Sequence, residues 1–358
     1  MNHSSNNTST TTPFPAASSS KQKELSAWIG TTLGISMLGI INNLLILRVA
    51  WPSKFKKSGV SLLIFHFVAV NLFMCLVIVP VGVVIVLAKR DGRWLADNSC
   101  HFVHTLWTAV GTVVNWSDVG LAANRFIALY FPHGYKAWTS TRVNVGVILT
   151  SWAISVGLMM PFTTGAGGQG ITLSELGLCF IKPSGRLGVF LSTNMGYVPY
   201  ALSGAGSLLI LWKCFGFGRL RSTAVVAQEG ELPGTRRRIT QRRLNMAKML
   251  LIIFLWSGIC SIPSWLITTV FPWLYASNPV SVMWIRTCAV CQYAFTPCIL
   301  LLSNPEYQKR ARVLFIDRPR GSSGVVGDNT SKGGRAPWVS AQAPNHPGFQ
   351  LKHLITHE

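Results

Sequence analysis

Seven apolar segments near the thickness of a bilayer's hydrocarbon core recur along this chain, at about 26–50, 60–88, 99–131, 143–163, 187–212, 245–271 and 283–303. A helix rising ~1.5 Å per residue needs about 20 apolar residues to cross that core. Within it no water is available to bond exposed backbone, so such segments must be helices. The fold class that follows is an all-α membrane protein, a seven-transmembrane helix bundle over 26–303. Apolar residues make up 49% of the chain and charged residues only 12%, against about 25% charged in soluble domains. Residues 1–25 read as an extracellular tail, and 316–358, rich in Gly, Ser, Pro and Asn, as a disordered cytoplasmic tail.

The net charge of +21 would point to nucleic acid in a soluble protein, but its distribution points to a membrane and to no nucleic-acid partner. Twenty-four of the 32 Lys and Arg residues fall in segments on one side of the bundle. The positive-inside rule therefore places the N-terminus outside and the C-terminus in the cytoplasm, as in a multi-pass plasma-membrane protein. No charged start followed by a short apolar core precedes the first helix, so it is expected to direct insertion itself. Sequons at Asn2, Asn6 and Asn7 fit a glycosylated outer tail. The Arg236-Arg237-Arg238 run suits anionic membrane lipids as well as a protein partner.

Arg125 lies at the inner end of the third segment, between Asn124 and Phe126. An arginine at the centre of a membrane helix costs about 2.5–3.5 kcal/mol on insertion scales, so it persists where it faces a bundle interior or an aqueous mouth. Cys100 stands 25 residues earlier, roughly 37 Å away along the helix, and so at the opposite face. Only Cys100 and Cys179 of the eight cysteines fall in the oxidising outer region. A disulfide between them would pin the loop of Cys179 over the bundle mouth.

Several landmarks, in order and spacing, are similar to those of rhodopsin-like (class A) G-protein-coupled receptors over about 26–315. Asn43 stands in the first helix, Trp152 in the fourth and Pro199 in the fifth. Cys260-Ser261-Ile262-Pro263 stands where the family usually has Cys-Trp-x-Pro, and Thr296-Pro297-Cys298-Ile299-Leu300 where it has Asn-Pro-x-x-Tyr. Residues 304–315 resemble the start of its short amphipathic cytoplasmic helix. The stretch 124–140 and Met159-Met160-Pro161-Phe162 are similar to receptors with an Asn-Arg-aromatic motif. These include the insect moody and trapped-in-endoderm receptors and, more distantly, melatonin receptors.

The resemblance implies a receptor that is not an enzyme and needs no cofactor. It would pass an extracellular small-molecule signal to a heterotrimeric G protein through Asn124, Arg125 and Phe126. Arrestin would read phosphate on Ser322, Ser323, Thr330 and Ser331. The family commonly has Asp or Glu where Asn124 stands, and the usual helix 6 partner site holds Arg243; both departures imply raised basal signalling. The intramembrane polar set would be Asn43, Asn71, Asp118, Thr296 and Pro297, with Cys260 and Pro263 marking the helix 6 bend. Asp118 has two readings, a protonation or sodium switch, or a protonated carboxyl satisfied by a helix 6 or 7 neighbour; no other metal site is visible.

For the ligand pocket the outer halves offer His104, Trp107, Gly111, Tyr197, Trp265, Phe271 and Arg286. Amine receptors of the family carry an aspartate where Trp107 stands, and opsins a lysine in the seventh helix; this chain has neither. Arg286 would either clamp a carboxylate or phosphate, favouring an acidic lipid or other anionic molecule, or cap the bundle top in solvent. Thr296, Leu300 and Ser261 depart from the family pattern, which leaves a non-coupling scaffold or decoy as the alternative.

Overall fold

The structure, a computed structural model, describes residues 19–50, 59–93, 99–131, 135–173, 179–224, 233–303 and 305–315. The sequons at Asn2, Asn6 and Asn7, and the tail serines and threonines, lie outside the described residues. Helix α1 spans Ser19–Ala50. Helix α2 runs through Gly59–Phe73, a π-helical turn Met74–Ile78 and Val79–Arg90. Pro80 explains the turn: it has no N–H for the carbonyl of Leu76, and the Val79 N–H bonds Met74 O five residues back. Helix α3 is Ser99–Tyr130, and α4 is Thr141–Thr164. Ser140 starts α4 by accepting the Val143 N–H at 3.4 Å; Gly165, at φ 75°, ends it.

Two antiparallel strands follow, β1 (Gly170–Leu173) and β2 (Cys179–Lys182), with Leu173 opposite Cys179. Helix α5 comes in two pieces, Gly185–Met195 and Tyr197–Ala224, divided at Gly196. Helix α6 is Pro233–Thr269, α7 is Pro279–Ser303 and α8 is Pro305–Phe315. Helix α1 packs on α2 and α7, α6 lies between α5 and α7, and α3 touches α2, α4 and α5.

The side-chain distribution is inverted relative to a soluble protein. Met37, Leu38, Ile41 and Leu44 of α1 point outward, 50–59% exposed, while Asn43, Asn71, Ser117, Gln292 and Thr296 are buried. Lipid tolerates that outer face, and polar groups inside find partners on neighbouring helices. Among the described residues five helices are long and apolar enough to cross a membrane: Gln22–Ala50, Ser61–Arg90, Thr141–Thr164, Leu251–Thr269 and Pro279–Ser303.

The observed bounds move several expected ones. α1 begins seven residues ahead of its apolar run and takes in an exposed Glu24. α6 begins at Pro233, 12 residues ahead of its expected apolar segment. Its first turns carry cations rather than an apolar stripe, which hydropathy does not register.

Candidate functional site

At the inner end of α3, Asn124 is buried, and its Oδ1 has no hydrogen-bond partner among the described residues. Arg125, half-buried, lines an internal cavity with Asp118, Tyr200, Ser203, Ser257 and Leu300. Phe126 stacks on Tyr130 with centroids 4.3 Å apart. Tyr130 in turn donates its hydroxyl to Leu209 O at 3.0 Å. Lys213 of α5 donates to Leu129 O at 3.0 Å, with its Nζ 3.9 Å from the Tyr130 ring centre. A lysine on the last carbonyls of a helix is electrostatically favoured, and here it ties α3 to α5 beside Arg125. Neither Tyr130 nor Lys213 carries a signal in the sequence, since nothing along the chain relates residues 83 apart. The side chain of Arg243 lies outside the described residues.

The middle of the bundle is a polar seam. Asp118 faces the same cavity as Asn115, Tyr200, Ser203 and Ser257, on the side of α3 toward α5 and α6. Asn115 donates to Met195 O at 3.2 Å, next to the break in α5, and Tyr200 lies 3.5 Å from Asn115 Oδ1. Between α6 and α7, Ser261 donates to Gln292 Oε1, and Gln292 Nε2 donates to Ser257 Oγ at 3.2 Å. Ser261 and Gln292 thus form a cross-helix latch, next to a buried Cys260 and within two residues of Pro263. Thr296 bonds back to Gln292 O at 2.6 Å, so it serves its own helix at the turn where Pro297 removes an N–H. Asn43 crosses from α1 to Tyr293 O at 3.1 Å. Asn71 is 1% exposed, with neither amide atom bonded among the described residues. These residues do not form one cluster: Asp118 lines the cavity toward α5 and α6, and neither Asn43, Asn71 nor Thr296 lines it.

At the outer end Arg286 turns inward. Its Nη2 lies 3.0 Å from His104 Nδ1, its Nη1 donates to Cys179 O at 3.3 Å, and its Cζ is 5.2 Å from the Trp107 ring centre. The last contact is within cation–π range. A guanidinium only donates, so Nδ1 must be the unprotonated nitrogen, which makes this imidazole neutral. Cys179 reaches Arg286 because the Cys100–Cys179 disulfide fastens β2 to the start of α3.

Chambers lie on either side of Arg286. One, toward α1, α2 and α7, is walled by Trp28, Val83, Val103, Trp107 and Val290. The other, between α3, α6 and α7, carries Thr108, Ser261, Ser264, Trp265 and Thr268, with Gly111 beneath the Tyr293 hydroxyl. Two expected wall residues are elsewhere. Tyr197 spends its hydroxyl on Thr269 Oγ1 at 2.7 Å, and Phe271 is 41% exposed against Trp273. Tyr197 follows the break in α5 at Gly196 and Phe271 lies past the end of α6 at Thr269, and a wheel projected from an unbroken helix misplaces them.

A disulfide-tethered hairpin above an inward-turned cation, a polar seam, and an arginine at the inner mouth lie along one seven-helix bundle. The sequence model described as 7 transmembrane receptor (rhodopsin family) matches residues 42–301, well over half of the chain. No curated protein matches it. This chain belongs to the rhodopsin family of seven-transmembrane receptors and is a multi-pass membrane receptor, not an enzyme.

Proposed function

We propose that this receptor sits in the plasma membrane, N-terminus outside, and promotes nucleotide exchange on a heterotrimeric G protein when its outer pocket is filled. One observation carries the reading: Arg125 lines an internal cavity walled by α2, α3, α5, α6 and α7. Separation of the inner ends of α5 and α6 would open that cavity to a partner's helix end, whose carbonyls a guanidinium bonds well. An agonist acts by binding that open state more tightly than the closed one. Its class is anionic, because Arg286, a fork of donors that matches a carboxylate or phosphate, is turned into the pocket beside Trp107. Asp118 serves as a protonation or sodium switch, supported by the oxygens of Asn115, Tyr200, Ser203 and Ser257 in its cavity. Arrestin and anionic lipid are the further partners. We also propose that it belongs with receptors carrying an Asn-Arg-aromatic motif, from Asn124, Arg125 and Phe126.

The test is nucleotide exchange on purified G proteins by receptor reconstituted in nanodiscs, compared with Arg125→Ala. A basal rate that falls to that of empty discs in the variant supports coupling. No receptor-dependent exchange with any G-protein class favours a non-coupling scaffold or decoy.

A further inference from the structure

Resting on the anionic-ligand reading above, we infer that the ligand is an anionic amphiphile. Its head is held at Arg286, and its alkyl chain lies in the chamber between α1, α2 and α7. The two chambers beside Arg286 differ in character. In the one between α3, α6 and α7, Thr108, Ser261, Ser264 and Thr268 add hydroxyl side chains to the walls. In the other, polar side chains are fewer, and apart from His104 and Arg286 they are turned on one another. Trp28 Nε1 donates to Met283 O at 3.0 Å and Thr287 Oγ1 at 2.9 Å, and Thr32 and Thr287 share a hydrogen bond of 3.0 Å. What remains to meet a ligand there is Val79, Val83, Val103, Trp107 and Val290.

A pocket with a cation at its mouth and apolar walls beyond is matched by a molecule with an anionic end and an apolar remainder. A carboxylate or phosphate oxygen makes with a guanidinium a charge-assisted bond about twice as strong as a neutral acceptor makes. Along α2 the chamber runs from Val79 to Ile85, roughly 9 Å of helix rise, so it has depth for a chain rather than a methyl group. Gly82 opens it further. A Cβ built there meets nothing within 4 Å, so a larger side chain would stand in the chamber without striking the fold.

The experiment is the thermal stability of full-length receptor in nanodiscs against butyrate, decanoate, dodecanoate, tetradecanoate, dodecyl phosphate and dodecanol. Each buried methylene contributes about 0.8 kcal/mol, close to fourfold in affinity. Apparent affinity is expected to rise about fourfold per methylene up to a cutoff, in carboxylates or in the phosphate, with dodecanol inactive. The relative response of dodecanoate and dodecyl phosphate assigns the head. Arg286→Gln is expected to abolish the shift, and Gly82→Leu to move the cutoff to shorter chains while the unliganded protein stays monodisperse. Butyrate binding as well as dodecanoate would overturn the tail, and dodecanol binding as well as dodecanoate would overturn the head. An unchanged cutoff in Gly82→Leu would overturn the placement between α1, α2 and α7. None of these readouts involves a G protein, so failure of coupling shows separately, as exchange that does not need Arg125.

Discussion

Asp118 stands seven residues before Arg125 on α3, and both side chains open on one cavity. Side chains on a helix lean toward its N-terminus, so Arg125 leans toward Asp118 across two turns. Asn124 brings no charge to the arginine beside it. We therefore expect Asn124→Asp to add a local restraint and lower basal nucleotide exchange at matched surface expression. Couplings of 1–3 kcal/mol correspond to about 5–150-fold; the partial exposure of Arg125 puts the effect at the low end, about fivefold. Equal basal rates would mean that the contacts tying α3 to α5 at Tyr130 and Lys213 already hold the closed state. Asp118→Asn keeps the shape and removes the charge. Sodium and pH dependence of exchange, measured in the same discs, is expected to vanish in that variant. Persistence of either dependence would place the switch elsewhere.

At the scale of helices, small residues set how closely the elements approach. A Cβ on Gly39 of α1 would meet Cys75 Sγ at 2.6 Å and the Ala294 backbone at 3.0 Å. Gly34, more than one turn earlier, has nothing within 4 Å and faces outward. The two glycines predict opposite signs. Gly39→Ala pushes α1 off α2 and α7 and is expected to cost about 1–3 kcal/mol, as overpacking does. Gly34→Ala gains helix propensity of up to about 1 kcal/mol. Melting temperatures of the two variants check this, and a fall in both would mean Gly34 meets another copy or a lipid. These contacts were not legible in the sequence, where Gly34 and Gly39 look alike. The seven helices were legible from segment length, although α3 and α5 are not among the five that length and apolarity alone single out. In α3 the polar side chains of His104, Asn115, Asp118 and Arg125 that dilute its apolar character are those that line the cavities. The hairpin was not foreseen, since strands of four residues carry too little alternation to register. The direction of Arg286 stood open between the pocket and the bundle top, because it depends on partners 182 and 107 residues away.

For the whole molecule, the question is how far the outer and inner ends are separable. The Cys100–Cys179 bridge closes a separation of 79 residues, for which chain entropy gives about 4.5 kcal/mol if the reference state is a free coil. That reference does not apply here. Helices α3 and α4 lie within the closed segment, and inserted helices remain constrained by the bilayer when the bridge is cut. Most of the entropic term is therefore lost, and what remains is local. Without the bridge, β2 is held by β1 and by its packing against Met159, Phe162 and Leu191. The Cys179 carbonyl then no longer has a fixed place beside Arg286. The double substitution Cys100→Ser with Cys179→Ser is expected to lower the melting temperature by a few degrees only. It should weaken the thermal shift from an anionic amphiphile at least tenfold, equivalent to about 1.4 kcal/mol. Basal exchange that depends on Arg125, at the far end of α3, should survive in the same preparation. Loss of both functions together would show that the hairpin holds the bundle itself, and an unchanged amphiphile response would show that Arg286 keeps its inward pose without Cys179.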